Sequence, residues 1–203
     1  MAPLWRRQAA APADAALMQR VVAGDAEAFA QLVRRYEHPL YNYLRRMVQD
    51  EALAADLLQE TWLRLFQHAH RYDPARPLST WLFAIAYHSC LDALRQRQRR
   101  QVVTSAAAAP GPADPQRALL AQEAQAAVRA AVASLPPAQR AVLLLRHYHG
   151  LSYQEIAAVV QCPVGTVKSR LHHALRHLQQ TLAAWGVVEN AATDRLVEKT
   201  RGE

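Results

Sequence analysis

Residues Leu151 to Leu178, LSYQEIAAVVQCPVGTVKSRLHHALRHL, decide the reading of this chain. The pattern predicts a short helix from Tyr153 to Val160, a turn at Gln161-Cys162-Pro163, and a second helix from Val164 to about Thr181. Proline suits the first turn of a helix, where the amide it lacks would have no partner. On the second helix Val167, Leu171, Ala174, Leu175, Leu178 and Leu182 recur every three or four residues, forming one apolar stripe. Lys168, Ser169, Arg170, His172, His173, Arg176 and His177 are left on the outer face. A short helix, a tight turn and a second helix with a basic face form the helix-turn-helix arrangement that reads a DNA major groove. An ordinary solvated amphipathic helix would also carry outward charges, but turn, stripe and basic face coincide here.

Composition agrees. Twenty-four Lys+Arg against 17 Asp+Glu leave a net charge of +7, which suits an anionic partner. Only Lys168 and Lys199 are lysines. Arginine dominance favours bidentate phosphate and base contacts, although a GC-rich genome would encode the same bias. Six glycines in 203 residues, with 51% hydrophobic residues in long alanine-leucine stretches, predict an all-α chain. No apolar run approaches the roughly 20 residues that span a bilayer, so no membrane insertion is expected. The N-terminus lacks the apolar core of a signal peptide. Cys90 and Cys162 form no CxxC pair, which fits a reducing, cytoplasmic compartment.

The expected organisation is two small helical domains joined by a flexible linker. Residues 1–13 read as a disordered tail, 14–101 as the first domain, 102–133 as the linker, 134–186 as the helix-turn-helix domain and 187–203 as a second tail. Within the linker Gln116 to Ala133 can form a helix. Ser134 is a candidate N-cap for a helix from Ala138 to Tyr148, ended by His149-Gly150. The first domain carries three helical signals. Phe29, Leu32, Val33, Tyr36, Leu40, Tyr43, Leu44 and Met47 follow a helical period. Ala52 to His70 places Trp62, Leu65, Phe66 and Ala69 on its apolar side, with Asp56, Gln59, Glu60 and Arg64 largely opposite. Ser79 to Arg100 begins with a candidate serine cap and ends in Arg95, Arg97, Arg99 and Arg100. Cations at a helix C-terminus complement its dipole, and four in six residues also make a phosphate patch.

DLLQETWLRLF (Asp56 to Phe66), STWLFAIAYHSCLDALR (Ser79 to Arg95) and LPPAQRAVLLLRHYHGLSYQEIAAVVQCPVGTVKSRL (Leu135 to Leu171) together resemble bacterial RNA polymerase sigma factors. The resemblance is to the small extracytoplasmic-function group, which has only region 2 and region 4. It covers everything but the tails and the linker. It implies that Asp56, Gln59, Glu60 and Arg64 dock on the β′ clamp helices of core RNA polymerase, with Trp62 read first as core. It places opening of the −10 promoter element at the loop Arg71 to Ser79 and the start of the next helix. Tyr72, Trp81, Tyr87, His88, Arg95 and Arg97 are the candidates, because an unstacked base needs a π-face and its backbone needs cations. Trp81 reads first as core, whereas Tyr72 and Tyr87 fit either role.

For the −35 element the resemblance implies Thr166, Lys168, Ser169, Arg170, His173, Arg176 and His177. Arg170 is the candidate for a bidentate guanine contact, which discriminates by about 1–3 kcal/mol. Arg140 and Arg146 are expected to support backbone or polymerase contacts. Region 4 is expected to touch the β flap, and a cognate anti-sigma factor is an expectation of the same kind. Four departures from the family's pattern stand out: Gln161 in a turn that often holds glycine, His173-Ala174-Leu175 for Arg-Ala-Arg, Tyr87-His88 for Arg-Asn, and Pro77-Leu78 in a loop that typically contains glycine.

His147/His149 and His173/His177 have ligand-compatible spacing, but no cysteine or carboxylate cluster accompanies them. No metal and no cofactor are expected. No Gly-rich phosphate loop or placed nucleophile and base occurs, so no enzymatic activity is expected. A stand-alone helix-turn-helix regulator is the alternative; it would need a sensor domain in front, for which residues 14–100 offer no βα alternation.

Overall fold

The computed structural model describes residues 11–103 and 118–186. The tail from 187 onward, most of the N-terminal tail and the Ala/Pro-rich part of the linker lie outside them. Among the described residues there are eight α-helices and no strand, in keeping with the all-α expectation. They are α1 Ala11–Val22, α2 Ala26–Val48, α3 Glu51–His68, α4 Leu78–Val103, α5 Ala118–Ser134, α6 Pro137–His147, α7 Tyr153–Val160 and α8 Val164–Ala184, with a 3-10 turn at Ala69–Arg71 after α3.

Helix α1 is a correction to the sequence reading, which placed residues 11–13 in a tail and counted three helices in the first unit. It is anchored by its apolar face, Leu17, Met18 and Val21, and by a buried carboxylate. Asp14 accepts a hydrogen bond from the Tyr36 hydroxyl at 2.5 Å and pairs with Arg35. Burial beside Asp14 raises the Tyr36 hydroxyl far above the usual phenol range, so it stays a donor. Asp25 caps α2 by accepting from the amides of Glu27 and Ala28 at 2.9 and 3.1 Å. Helix α2 runs through Pro39. An interior proline costs about 3 kcal/mol, and here it is flanked by Tyr36, Leu40 and Tyr43, each fully buried. Burying side chains of that size contributes about 1.5–3 kcal/mol each, enough to hold the helix together.

Two expected caps are corrected. Ser79 lies inside α4, which begins at Leu78, and is buried. Ser134 ends α5, its hydroxyl donating to the Ala131 carbonyl at 2.8 Å; α6 opens at Pro137 instead. Helix α5 packs on α8, so residues 118–133 pack with the C-terminal helices. The N-terminal helices α1–α4 pack around Tyr36, Tyr43 and Phe83, and α6–α8 around Leu144, Ile156 and Leu171. The two groups also touch: α2 meets α6, and α4 meets α7.

Candidate nucleic-acid and partner surfaces

The turn between α7 and α8 shows how this sequence builds a reading helix. Ser152 caps α7 reciprocally with Glu155: the Glu155 amide donates to the Ser152 hydroxyl at 3.2 Å, and the Ser152 amide donates to the Glu155 carboxylate at 2.7 Å. Gln161 ends α7 in the left-handed region at φ 52°, its amide donating to the Ala157 carbonyl. A glycine would adopt that conformation without strain; glutamine does so at about 1–2 kcal/mol. Pro163 then leads into α8, whose Val167, Leu171, Ala174, Leu175 and Leu182 are buried. Leu178 packs against them, partly buried.

That stripe turns Lys168, Ser169, His173 and Arg176 to solvent, while Thr166, Arg170 and His177 are half-buried. Lys168 Nζ sits 5.1 Å from the centre of the Tyr153 ring, which the Arg146 guanidinium approaches at 4.8 Å. Arg170 Nη1 donates to Cys162 Sγ at 3.6 Å, a weak bond that costs little to exchange for a base edge. His177 is hydrogen-bonded to Ser134 Oγ at 3.0 Å, which ties it to α5. Arg140 is a correction. It is buried, donating to the Met47 carbonyl at 2.6 Å, to Leu135 at 2.9 Å, to Val132 at 3.2 Å and to Ala133. It is therefore a structural clasp, unavailable to a phosphate.

On α3, Asp56 and Gln59 are exposed, and Glu60 and Arg64 pair with each other at 2.5 Å. Trp62 is buried, edge-on to Phe29. Phe66 is corrected: the sequence pattern put it on the buried side, yet it is 58% exposed, beside Leu63 at 56%. Its ring lies edge-on to Phe29, ring centres 5.8 Å apart. Two large apolar side chains next to Asp56 and Gln59 widen the candidate docking face. An apolar residue at that spacing was visible in the sequence; that packing leaves it exposed was not.

A groove of about 600 Å³ separates α3 from α4, lined by Asp56, Glu60 and Arg64 on one wall and Asp92, Arg95 and Arg99 on the other. The −10 candidates divide. Tyr72 and Trp81 are half-buried and stack at a tilt, 5.7 Å between ring centres; the Tyr72 hydroxyl donates to the Arg76 carbonyl at 2.9 Å. Arg95 and Arg97 are exposed, near Asp92 at 3.4 Å and Asp50 at 3.8 Å. His88 is half-buried, and its Nε2 has no hydrogen-bond partner. Tyr87 is 4% exposed, and burial raises its hydroxyl above the usual range. In this arrangement Tyr87 cannot reach a base. Among the described residues no group of three metal-ligating side chains gathers, and no helix is long and apolar enough to cross a membrane.

Residues 32–100 match the family description Sigma-70 region 2, and residues 125–178 match Sigma-70 region 4. The chain is 33% identical over 180 residues to the RNA polymerase sigma-H factor of Pseudomonas aeruginosa, covering 83% of this chain and 93% of that protein. It belongs to the sigma-70 family. Within it, the chain is one of the extracytoplasmic-function sigma factors: the ECF RNA polymerase sigma factor SigL of Mycobacterium tuberculosis is 38% identical over 173 residues, 82% of this chain and 97% of that one. Among solved structures, CnrH in complex with the cytosolic domain of CnrY aligns over 85% of this sigma factor and 98% of that chain, with a TM-score of 0.66 and 28% identity. The sigma factor RpoE, solved with the anti-sigma factor NepR from Bartonella quintana, shares the fold at a TM-score of 0.63 and 24% identity, over 78% of this chain and 98% of that one.

Proposed function

We propose that this sigma factor divides its work between two surfaces. The α3 face of Asp56, Gln59, Glu60 and Arg64, widened by Leu63 and Phe66, docks on the clamp helices of core RNA polymerase. The loop after α3 and the first part of α4 open the −10 element, with Tyr72 and Trp81 offering π-faces and Arg95 and Arg97 holding the phosphates. Helix α8 reads the −35 element through Lys168, Ser169, Arg170 and His173, with Thr166 at the edge and Arg176 and His177 toward the backbone. Region 4 touches the β flap, and an anti-sigma factor masks the same surfaces. The chain works in the cytoplasm and does no chemistry of its own.

The observation that carries this reading is the exposed basic face of α8, presented by a capped α7 and a tight turn. A stand-alone regulator would carry a sensor domain in front of its reader, whereas residues 32–100, from within α2 through most of α4, match region 2. Replacing Lys168 and Arg170 with alanine should leave affinity for core polymerase unchanged and abolish −35-dependent initiation. Initiation that keeps its −35 dependence in this double variant would refute the assignment of α8.

A further inference from the structure

Glycine is scarce in this sigma factor, six in 203 residues, and most of the described ones answer a need of the backbone. Gly24, Gly150 and Gly186 have φ of 88°, 64° and 69°, where any side chain would be strained. Gly165 does not share that need. It sits in the first turn of α8, outside the left-handed region, and a Cβ built on it would meet no atom within 4 Å. Alanine would fit the same space and favour the helix, because glycine has more backbone freedom to lose on folding. Nothing inside the fold therefore explains a glycine here. A position kept free of a side chain, against the preference of its own helix, is one where another body comes close.

That body is identified by the face on which Gly165 lies. Residues three and four apart are neighbours on a helix, so Gly165 is one turn ahead of Lys168 and Ser169, and His172 and Arg176 continue the same line. All five are exposed. Pro163 and Val164, just before it, are exposed as well and bring no charge. The reading face thus begins with a low, uncharged tip and becomes basic behind it. A helix with its side chains is about 10–12 Å across, and a B-DNA major groove is about 12 Å wide and about 8.5 Å deep. That fit leaves little clearance, so the depth α8 reaches is set by the side chains at its leading end.

We propose that Gly165 is a specificity-determining residue of −35 recognition through the side chain it lacks. Its bare backbone lies against the edge of a base pair on the groove floor, and that depth brings Ser169 and Arg170 within reach of their bases. The proposal rests on the assignment of α8 to the −35 element.

The test compares Gly165→Ala and Gly165→Leu with the Lys168→Ala/Arg170→Ala double variant, each as the full chain. Far-UV melting of the free chain should place both glycine variants at or a few degrees above the wild type, since alanine and leucine are better helix formers. Holoenzyme assembled on core polymerase is then assayed on a promoter recovered by transcript mapping, with its −35 element intact or scrambled. Gly165→Ala should lose about tenfold of the preference for the intact element, the size of one base contact. Gly165→Leu should lose nearly all of it, with initiation from the scrambled template unchanged. A more stable protein that reads less well is the signature of a close approach; a glycine serving the fold would lower both together. Full −35 preference in Gly165→Ala, or a lower melting temperature, would overturn the proposal. If the double variant alone loses the preference, only the close approach falls; if no variant loses it, the assignment of α8 falls as well.

Discussion

Replacing Arg140 with methionine probes how the C-terminal unit is held. Methionine keeps most of the side-chain length and removes the guanidinium. Four carbonyls, of Met47, Val132, Ala133 and Leu135, then lose a charged donor in the interior. A hydrogen bond to a charged group contributes about 1.5–3 kcal/mol, which would sum to more than a domain this size possesses. The sum is offset by the desolvation of the buried guanidinium, whose pKa is lowered by that burial. Exchanging both partners of a buried polar contact for apolar groups can be neutral, but here the acceptors are backbone and stay behind. Leaving a buried carbonyl without its donor costs about 1–3 kcal/mol, and four carbonyls are affected here. Residues 118–186 would carry only about 3–10 kcal/mol of folding stability by themselves. Arg140→Met should therefore bring this unit near its unfolding midpoint at room temperature. Urea titration followed by far-UV circular dichroism and by fluorescence, with Trp185 reporting on the C-terminal unit, would show an early transition before the N-terminal unit melts. A variant within about 1 kcal/mol of the wild type would refute the clasp.

Three further outcomes are expected. Burial lowers the His149 pKa from 6.5 to about 3. The folded chain therefore binds fewer protons than the unfolded chain: its stability is at full strength above pH 6.5 and weakens by up to about 1.4 kcal/mol per pH unit below it. His149→Phe should lose that acid sensitivity in denaturant melts, and an unchanged pH slope would remove His149 as its source. Gln161→Gly should stabilise the reading domain by about 1 kcal/mol, because glycine adopts φ 52° without strain; a lower melting temperature would show that the Gln161 side chain matters more than its backbone. Charge reversal at Asp56 and Glu60 should weaken binding to core polymerase at least tenfold without unfolding α3, since Asp56 is exposed and Glu60 is only partly buried; undiminished affinity would move the docking face elsewhere.

The reading helix was legible because one stretch carried its whole logic. The α7 bounds, the turn and the buried stripe of α8 follow from spacing within 28 residues. Helix α1 was harder: its apolar residues Leu17, Met18 and Val21 are few, and its polar anchor Asp14 acquires meaning only through Tyr36, more than twenty residues away. The same holds for Arg140, whose surface-like sequence context conceals a buried clasp between α5, α6 and the end of α2. Exposure of Phe66 and burial of Tyr87 are two sides of one limit. Helical periodicity states which face is apolar, but which element covers that face is decided by tertiary packing, and here the cover over Tyr87 comes from the other end of the chain. The candidate base-reading and docking residues came from motif resemblance, and the structure sorts them by exposure rather than by role.

Adding the purified chain to sigma-free core polymerase on a genomic template, and mapping every transcript start, tests the central claim most directly. Discrete starts that share one upstream −35 sequence and one −10 sequence are expected. An active core that fails to initiate, with a chain that nevertheless binds specific DNA alone, would contradict it.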